Sequence, residues 1–163
     1  MNDDRTRVVI VPCSGIGKSF GTISREAAYQ VTEDLCPADT QLVSLSRLVL
    51  GDPEARAVVA VNPAVTLDGC KHACATKMVA ESGGTVAHSL AVLDVCRRHR
   101  GLKPRGIAQL NEAGKELALF MAQEVAADVA ALIPGPAGAV VSGTEGAPVA
   151  APPATGAEGG HRG

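Results

Sequence analysis

Aromatic residues are almost absent from this chain of 163 residues. It contains two Phe, one Tyr and no Trp, so its core must be built from Val, Leu, Ile and Ala. Proteins that bind single-stranded nucleic acid use aromatic side chains as platforms for the bases, and this chain has too few. Its net charge of −2 also gives no basic excess to neutralise phosphates. The composition therefore argues against a nucleic-acid partner.

Long hydrophobic runs are absent as well. No apolar stretch approaches the roughly 20 residues that a helix needs to span a bilayer. The first residues, MNDDRTR followed by VVIVP, do not resemble a signal peptide, because the head is mixed in charge and the apolar stretch is short. We therefore expect a cytoplasmic protein with no membrane partner.

The last thirty residues, 134–163, differ in composition from the rest. They hold eight of the 18 Gly and five of the 10 Pro, together with seven Ala. Such a segment has too little apolar side-chain volume to offset the entropy lost on ordering it. The sequence predicts a single domain over residues 1–133, followed by a disordered tail over 134–163.

Within residues 1–133, predicted strands alternate with predicted helices. Strands are expected at residues 8–11, 41–45, 64–67 and 85–95, and helices at 25–35, 54–61, 71–81 and 112–132. Ser24 and Asn111 are the predicted N-caps of the first and last helices. The alternation indicates a small three-layer α/β fold, with a mostly parallel sheet of about four strands and flanking helices.

The glycine-rich segment 12–21 follows the first predicted strand and fails three phosphate-binding patterns by one residue each. A P-loop needs Gly where Pro12 stands, and a dinucleotide loop needs Gly where Phe20 stands. A phosphatase-like loop starting at Cys13 needs Arg where Ser19 stands. We therefore interpret the segment as a turn in which glycine permits tight chain reversal.

The chain has five cysteines, and an odd number without an export signal is unlike a disulfide scaffold. Cys13 and Cys70 each follow a predicted strand, at the sheet edge where α/β proteins bind ligands. Cys70 and Cys74 are four residues apart, so on a helix both sulfurs would share one face. Two such thiolates suit a tetrahedral metal ion, although buried cysteines in a core of small residues give the same spacing.

The segments Pro12-Cys13-Ser14-Gly15, Leu35-Cys36-Pro37 and Asp68-Gly69-Cys70, with Cys74 following, resemble the DGC-domain family over about residues 8–110. That family is named for its D-G-C motif and is identified with zinc binding but with no known reaction. The resemblance implies a metal site with four ligands: Cys13, Cys36, Cys70 and Cys74. Four thiolates suit zinc, with iron or an iron–sulfur cluster as the alternative.

The roles of several residues near these cysteines stay open. Asp68 either forms a sharp turn with Gly69 or orients a ligand. His72 is expected to face solvent, and His88, in an apolar stretch, to be a core residue. Cys96 has no counterpart in the four-cysteine set, and we interpret it as an incidental thiol in or near the fourth strand.

Three functions are compatible with these features. The first is metal binding by the four cysteines. The second is a thiol-dependent enzyme in which Cys13 is the nucleophile, stabilised by a helix N-terminus and assisted by Lys18. The third is a module that binds a small molecule or a protein, using the strand-end cleft and the basic cluster at 97–105, which is otherwise a solvated loop. The sequence leaves the catalytic residues and the oligomeric state open, a homo-oligomer included.

Overall fold

The computed structural model describes residues 6–15 and 17–133. The predicted disordered tail, 134–163, lies outside the described residues. The strands are β1 (Val8–Pro12), β2 (Thr40–Leu42), β3 (Pro63–Asp68) and β4 (Thr85–Ala91). The helices are α1 (Ser19–Tyr29), α2 (Leu45–Val49), α3 (Pro53–Val61), α4 (Cys74–Glu81), α5 (Val92–Arg98) and α6 (Glu112–Leu132), and a π-helical segment (Gln30–Leu35) continues α1.

The four strands form one sheet in the order β2-β1-β3-β4, and every pair is parallel. All five residues of the central strand β1 are buried, as a strand covered on both faces requires. The structure thus confirms the predicted α/β class. Within the described residues, no helix is both long enough and apolar enough to cross a membrane.

Helices cover both faces of the sheet and give it three layers. Val8 and Ile10 of β1 point into a core formed with α1, α5 and α6, while Val9 and Val11 point into a second core formed with α2, α3 and α4. This split follows from the alternation of side chains along a strand. Both cores are almost entirely aliphatic, as the scarcity of aromatic residues predicts.

Helix α1 begins six residues earlier than predicted and carries the chain directly out of the glycine-rich segment. Ser24 is therefore not an N-cap; it lies inside α1 and is fully buried. Its hydroxyl donates to the Leu67 carbonyl at 2.7 Å and accepts from the Cys13 N–H at 2.9 Å. The prediction failed because a serine before an apolar repeat resembles a cap, whereas here the buried hydroxyl joins α1 to the ends of β1 and β3.

Two other boundaries differ from the prediction. The fourth strand ends at Ala91, and the predicted extension is helix α5, in which Val92 and Val95 share one buried face. The second strand stops at Leu42, and α2, which the sequence analysis missed, follows it. Short apolar runs do not distinguish a strand from a buried helix by periodicity alone.

The last helix follows the prediction closely. Asn111 caps α6 by accepting from the Gly114 N–H at 3.0 Å, and α6 ends at Leu132. The same Asn111 oxygen accepts from the Arg105 N–H at 2.9 Å, and its amide donates to the Lys103 carbonyl at 3.0 Å. One side chain therefore begins α6 and fixes the end of the basic loop that precedes it.

Candidate functional site

The chain changes direction within the sheet between β1 and β3. After β1 it moves to one side to form β2, and it then returns across β1 to form β3 on the other side. In open parallel sheets, such a switch point leaves a crevice at the carboxyl ends of the two strands. Cys13 follows β1 directly, and Cys70 follows the last residue of β3, Asp68, by two positions. Both cysteines therefore lie at this crevice.

The backbone around Cys13 is held firmly. Its N–H is shared between the Leu67 carbonyl, at 2.8 Å, and the Ser24 hydroxyl, at 2.9 Å. Its sulfur accepts from the Gly15 N–H at 3.3 Å. Only 7% of Cys13 is exposed, so the thiol is held in place rather than free to rotate in solvent.

The Cys13 thiol faces a small cavity of about 70 Å³. Backbone approaches the sulfur closely from two sides, because a Cβ on Gly15 would stand 3.4 Å and one on Gly69 3.5 Å from Cys13 Sγ. A Cβ on Gly21 would overlap the Gly15 carbonyl. Only glycine allows this approach of α1 to the loop after β1. The cavity is lined by Cys13, Gly15, Lys18, Phe20, Gly21, Gly69 and Cys70.

Asp68 connects the end of β3 to the start of α4. Its buried carboxylate accepts from the Ala75 N–H at 2.8 Å, from the Thr76 N–H at 3.3 Å and from the Thr76 hydroxyl at 2.6 Å. A carboxylate at a helix N-terminus satisfies unpaired N–H groups and interacts favourably with the helix dipole. Asp68 thus fixes both ends of the turn that carries Cys70. Sequence analysis did not identify Thr76, which also bonds to Thr66 and Ser89.

A comparison with protein-family models decides the family. The model described as "DGC domain" matches residues 9–113, which are 105 of the 163 residues. The chain belongs to the DGC domain family. No curated protein and no solved structure matches it. The resemblance found in the sequence is thereby confirmed for the family.

Cys70 and Cys74 of this DGC domain do not share a helix. Residues 70–73 form a turn in which Ala73 has a left-handed φ of 50°, and α4 begins only at Cys74. The prediction that the two sulfurs share one face of a helix is therefore wrong. Cys70 is half-buried at the Cys13 cavity, whereas Cys74 is exposed. The glycine and aspartate before Cys70 favour a turn over a helix. The four-residue spacing of the two cysteines does not by itself reveal this local preference.

Cys36 lies at the other end of the sheet. It precedes β2, and its carbonyl accepts from the Thr40 hydroxyl at 2.7 Å, while Thr40 is in register with Val8 at the start of β1. Strand β1 has five residues and is about 17 Å long at 3.3 Å per residue. Cys36 is level with the start of β1 and Cys13 follows its end, so this length separates the two cysteines along the strand direction. Burial raises the pKa of the Cys36 thiol, and the negative charge of Asp39 raises it further.

These positions test whether four cysteines fit one metal ion. Two thiolates on one zinc ion stand at most about 4.6 Å apart, since each Zn–S bond is about 2.3 Å. The DGC domain brings Cys13 and Cys70 to one cavity at the carboxyl ends of the strands but leaves Cys36 at their amino ends. Among residues 6–15 and 17–133, no group of three or more His, Cys, Asp or Glu side chains is arranged to hold a metal ion. The four-cysteine set therefore does not fit a single ion in this structure.

His72, His88 and the fifth cysteine, Cys96, have clear positions. His72 is exposed in the turn before α4, as predicted. His88 is not a core residue: it is exposed on the edge strand β4, with its Nδ1 3.6 Å from the Asp128 carboxylate. Cys96 lies on α5 rather than on a strand, and burial raises the pKa of its thiol.

The basic cluster extends from the end of α5 into the loop before α6. Arg97 pairs with Asp94 at 2.7 Å, and Arg98 pairs with the Glu124 carboxylate of α6 at 2.6 Å. Arg100 donates to the Arg97 carbonyl at 3.3 Å. In the part of the chain that the structure describes, the cluster therefore divides into Arg97 and Arg98, which pair with carboxylates, and Arg100 and Lys103, which do not.

Proposed function

We propose that this DGC domain is a thiol-dependent protein that carries a single sulfur atom as a persulfide, with Cys13 as the nucleophile and Cys70 as the second thiol. The observation that carries the proposal is that both cysteines line one cavity of about 70 Å³ at the sheet's switch point. The cavity is much smaller than the roughly 300–1,000 Å³ of an ordinary small-molecule site, so it suits a small group such as one added sulfur atom.

The surroundings of Cys13 support a nucleophilic role. The Gly15 N–H donates to its sulfur, and Lys18, at the start of α1, lines the same cavity. A positive charge and a backbone donor both stabilise the negative charge that passes between sulfur atoms during a transfer. The Cys13 N–H donates to the Ser24 hydroxyl and to the Leu67 carbonyl, and these bonds keep the sulfur directed at the cavity.

The proposed transfer needs neither an oxidant nor a reductant. The Cys13 thiolate attacks the outer sulfur of a low-molecular-weight persulfide, R–S–SH. A bond forms between Cys13 Sγ and that sulfur while the S–S bond of the donor breaks. The electron pair leaves on R–S⁻, which takes up the proton that Cys13 released. Cys70, the more exposed of the two thiols, then receives the sulfur by the same reaction and presents it to an acceptor thiol.

Cyanide-labile sulfur provides the test. We expect reduced protein incubated with a small persulfide, then desalted, to carry stoichiometric labile sulfur, because Cys13 binds it covalently. Cys13→Ser should abolish the loading. Cys70→Ser should retain loading but slow the release of sulfur to an added thiol. Cys96→Ser is the matched control and should behave as the original protein; loading that survives in Cys13→Ser would refute the proposal.

Zinc binding is the second candidate. Cys13 and Cys70 line one cavity and Cys74 begins the adjacent helix α4. The described residues hold no preformed group of three ligands, so zinc binding would have to bring these thiolates together. Metal analysis of freshly purified, reduced protein separates it from sulfur transfer. Stoichiometric zinc that is lost in Cys70→Ser and Cys74→Ser but retained in Cys36→Ser would favour this candidate. Protein without zinc that loads sulfur at Cys13 would favour sulfur transfer.

Both candidates require reduced cysteines. All five cysteines are free thiols in the structure. We propose that the protein works in a reducing compartment, the cytoplasm, where thiols of this kind persist.

A further inference from the structure

A second and larger cavity lies beside the Cys13 cavity, at the junction of α1, α5 and the loop before α6. Its volume is about 440 Å³, which is the size of a small-molecule site. It is lined by Ser19, Phe20, Leu93, Cys96, Arg97, Arg100, Leu102, Lys103 and Pro104. We call it the basic cavity.

The charged side chains of the basic cavity are all cationic. Arg97 is neutralised by Asp94, at 2.7 Å. Within the part of the chain that the structure describes, neither Arg100 nor Lys103 forms an ion pair with a carboxylate. Two uncompensated cations in one concave site attract an anion more strongly than isolated cations on a convex surface do.

The remaining walls are mainly apolar. Phe20 of α1, Leu93 of α5 and the Leu102 and Pro104 side chains of the loop face the same space as the cations. A site of this kind suits a ligand with an apolar body and an anionic end. Inorganic anions alone would leave the apolar walls exposed to water.

The start of α1 supports an anion at this position. Ser19, the first residue of α1, lines the basic cavity. The first turn of α1 contains no acidic residue, and its N-cap residue, Lys18, makes no side-chain capping bond. The positive end of the helix dipole therefore adds to the field of Arg100 and Lys103 rather than being cancelled locally.

We propose that the basic cavity binds a small organic anion, with its phosphate or carboxylate between Arg100 and Lys103 and its apolar body against Phe20, Leu93 and Leu102. This site is independent of sulfur chemistry at Cys13. The two cavities nevertheless share one wall, because Phe20 lines both. A ligand in the basic cavity would therefore lie next to the thiol site.

Titration calorimetry with phenyl phosphate tests the proposal directly. We expect binding to the original protein and at least about a tenfold loss of affinity in the Arg100→Gln, Lys103→Gln double variant, because it removes two charged hydrogen-bond donors. The matched control is the Arg56→Gln, Lys77→Gln double variant, which makes the same charge change at exposed positions on α3 and α4. Equal binding by both double variants would overturn the proposal.

Two further probes define the ligand class. Phenol and inorganic phosphate should each bind more weakly than phenyl phosphate, since each engages only one part of the site. Binding of inorganic phosphate as tight as that of phenyl phosphate would overturn the apolar half of the proposal. Phenol binding as tight as phenyl phosphate would overturn the anionic half.

Cys96 reports occupancy of the same cavity. Its thiol lines the basic cavity, so bound phenyl phosphate should slow the alkylation of Cys96 while leaving that of exposed Cys74 unchanged. Mass spectrometry of labelled peptides distinguishes the two cysteines. Protection of both, or of neither, at a saturating concentration would place the ligand elsewhere. Because this readout does not involve Cys13, it is unaffected if sulfur transfer fails.

Discussion

At the scale of single residues, Gly21 determines how closely α1 approaches the loop after β1. A Cβ at this position would overlap the Gly15 carbonyl oxygen, and that loop holds Cys13. Alanine is normally the better helix former by about 1 kcal/mol, so a glycine inside α1 costs stability locally. In return, the glycine permits the close approach of the two backbones.

Gly21→Ala is therefore expected to destabilise the protein by about 1–3 kcal/mol, because the added methyl group overpacks a site with no space for it. Urea unfolding followed by circular dichroism measures the change. Gly101→Ala is the matched control, since a Cβ there meets nothing within 4 Å, and it should leave stability nearly unchanged. An increase in stability in Gly21→Ala, as helix propensity alone would give, would contradict this account.

Two partly buried thiols, Cys36 and Cys96, should make stability depend on pH. Burial raises the pKa of Cys96 and of Cys36 above the ordinary value of 9.0, and the charge of Asp39 adds to the effect at Cys36. Both thiols are neutral well below this value in the folded and unfolded chains alike. As the pH rises through 9.0, the unfolded chain loses these protons first, so the folded state loses stability until the folded thiols ionise as well.

We therefore expect the free energy of unfolding to fall above about pH 9, and to fall less in a Cys36→Ala, Cys96→Ala double variant. Cys74→Ala is the control for removing a cysteine at an exposed position. Urea titrations at a series of pH values give the comparison. Parallel curves for the double variant and the original protein would rule out these two thiols as the source.

At the scale of secondary-structure elements, the turn between β3 and α4 depends on Asp68. The carboxylate accepts three hydrogen bonds from the first turn of α4 and is buried at the end of β3. Since α4 has only eight residues, its N-terminus depends on this partner more than a longer helix would.

Asp68→Asn should destabilise the protein by about 1–3 kcal/mol, because the amide keeps the shape but loses the charge and one acceptor oxygen. Asp94→Asn provides the comparison, since Asp94 forms only an exposed pair with Arg97 and should cost under about 1 kcal/mol. Thermal and urea unfolding measure both. Equal small losses in the two variants would show that Asp68 does not anchor α4.

Prediction of the elements succeeded where one local signal dominated. The apolar run of β1 and the capped, long apolar stripe of α6 lie where the sequence places them. It failed at the start of α1 and at the junction of β4 and α5. At those points the deciding contacts are long-range: Ser24 bonds to Leu67, and Val92 packs into the core shared with α6. Local periodicity contains no information about such partners.

At the scale of the whole molecule, the order of the strands decides which cysteines meet. β1 and β3 are neighbours, so the residues that follow them, Cys13 and Cys70, lie at one sheet edge. Cys36 lies just before β2, and parallel pairing puts the start of β2 beside the start of β1, at the opposite end of the strands. Helix α1 also packs against α5, and this contact places Phe20 of α1 between the Cys13 cavity and the basic cavity.

The amino-acid sequence by itself determined the aliphatic core, the α/β class, the family and the position of Cys13 at a strand end, because each of these follows from composition, periodicity or adjacent residues. Only the tertiary structure decided that Cys36 is remote from Cys13, that residues 70–73 form a turn and that Arg100 and Lys103 face Phe20. These depend on parallel strand pairing and on helix packing between segments far apart in the chain. Such contacts are chosen by the burial of the whole core rather than by any local pattern.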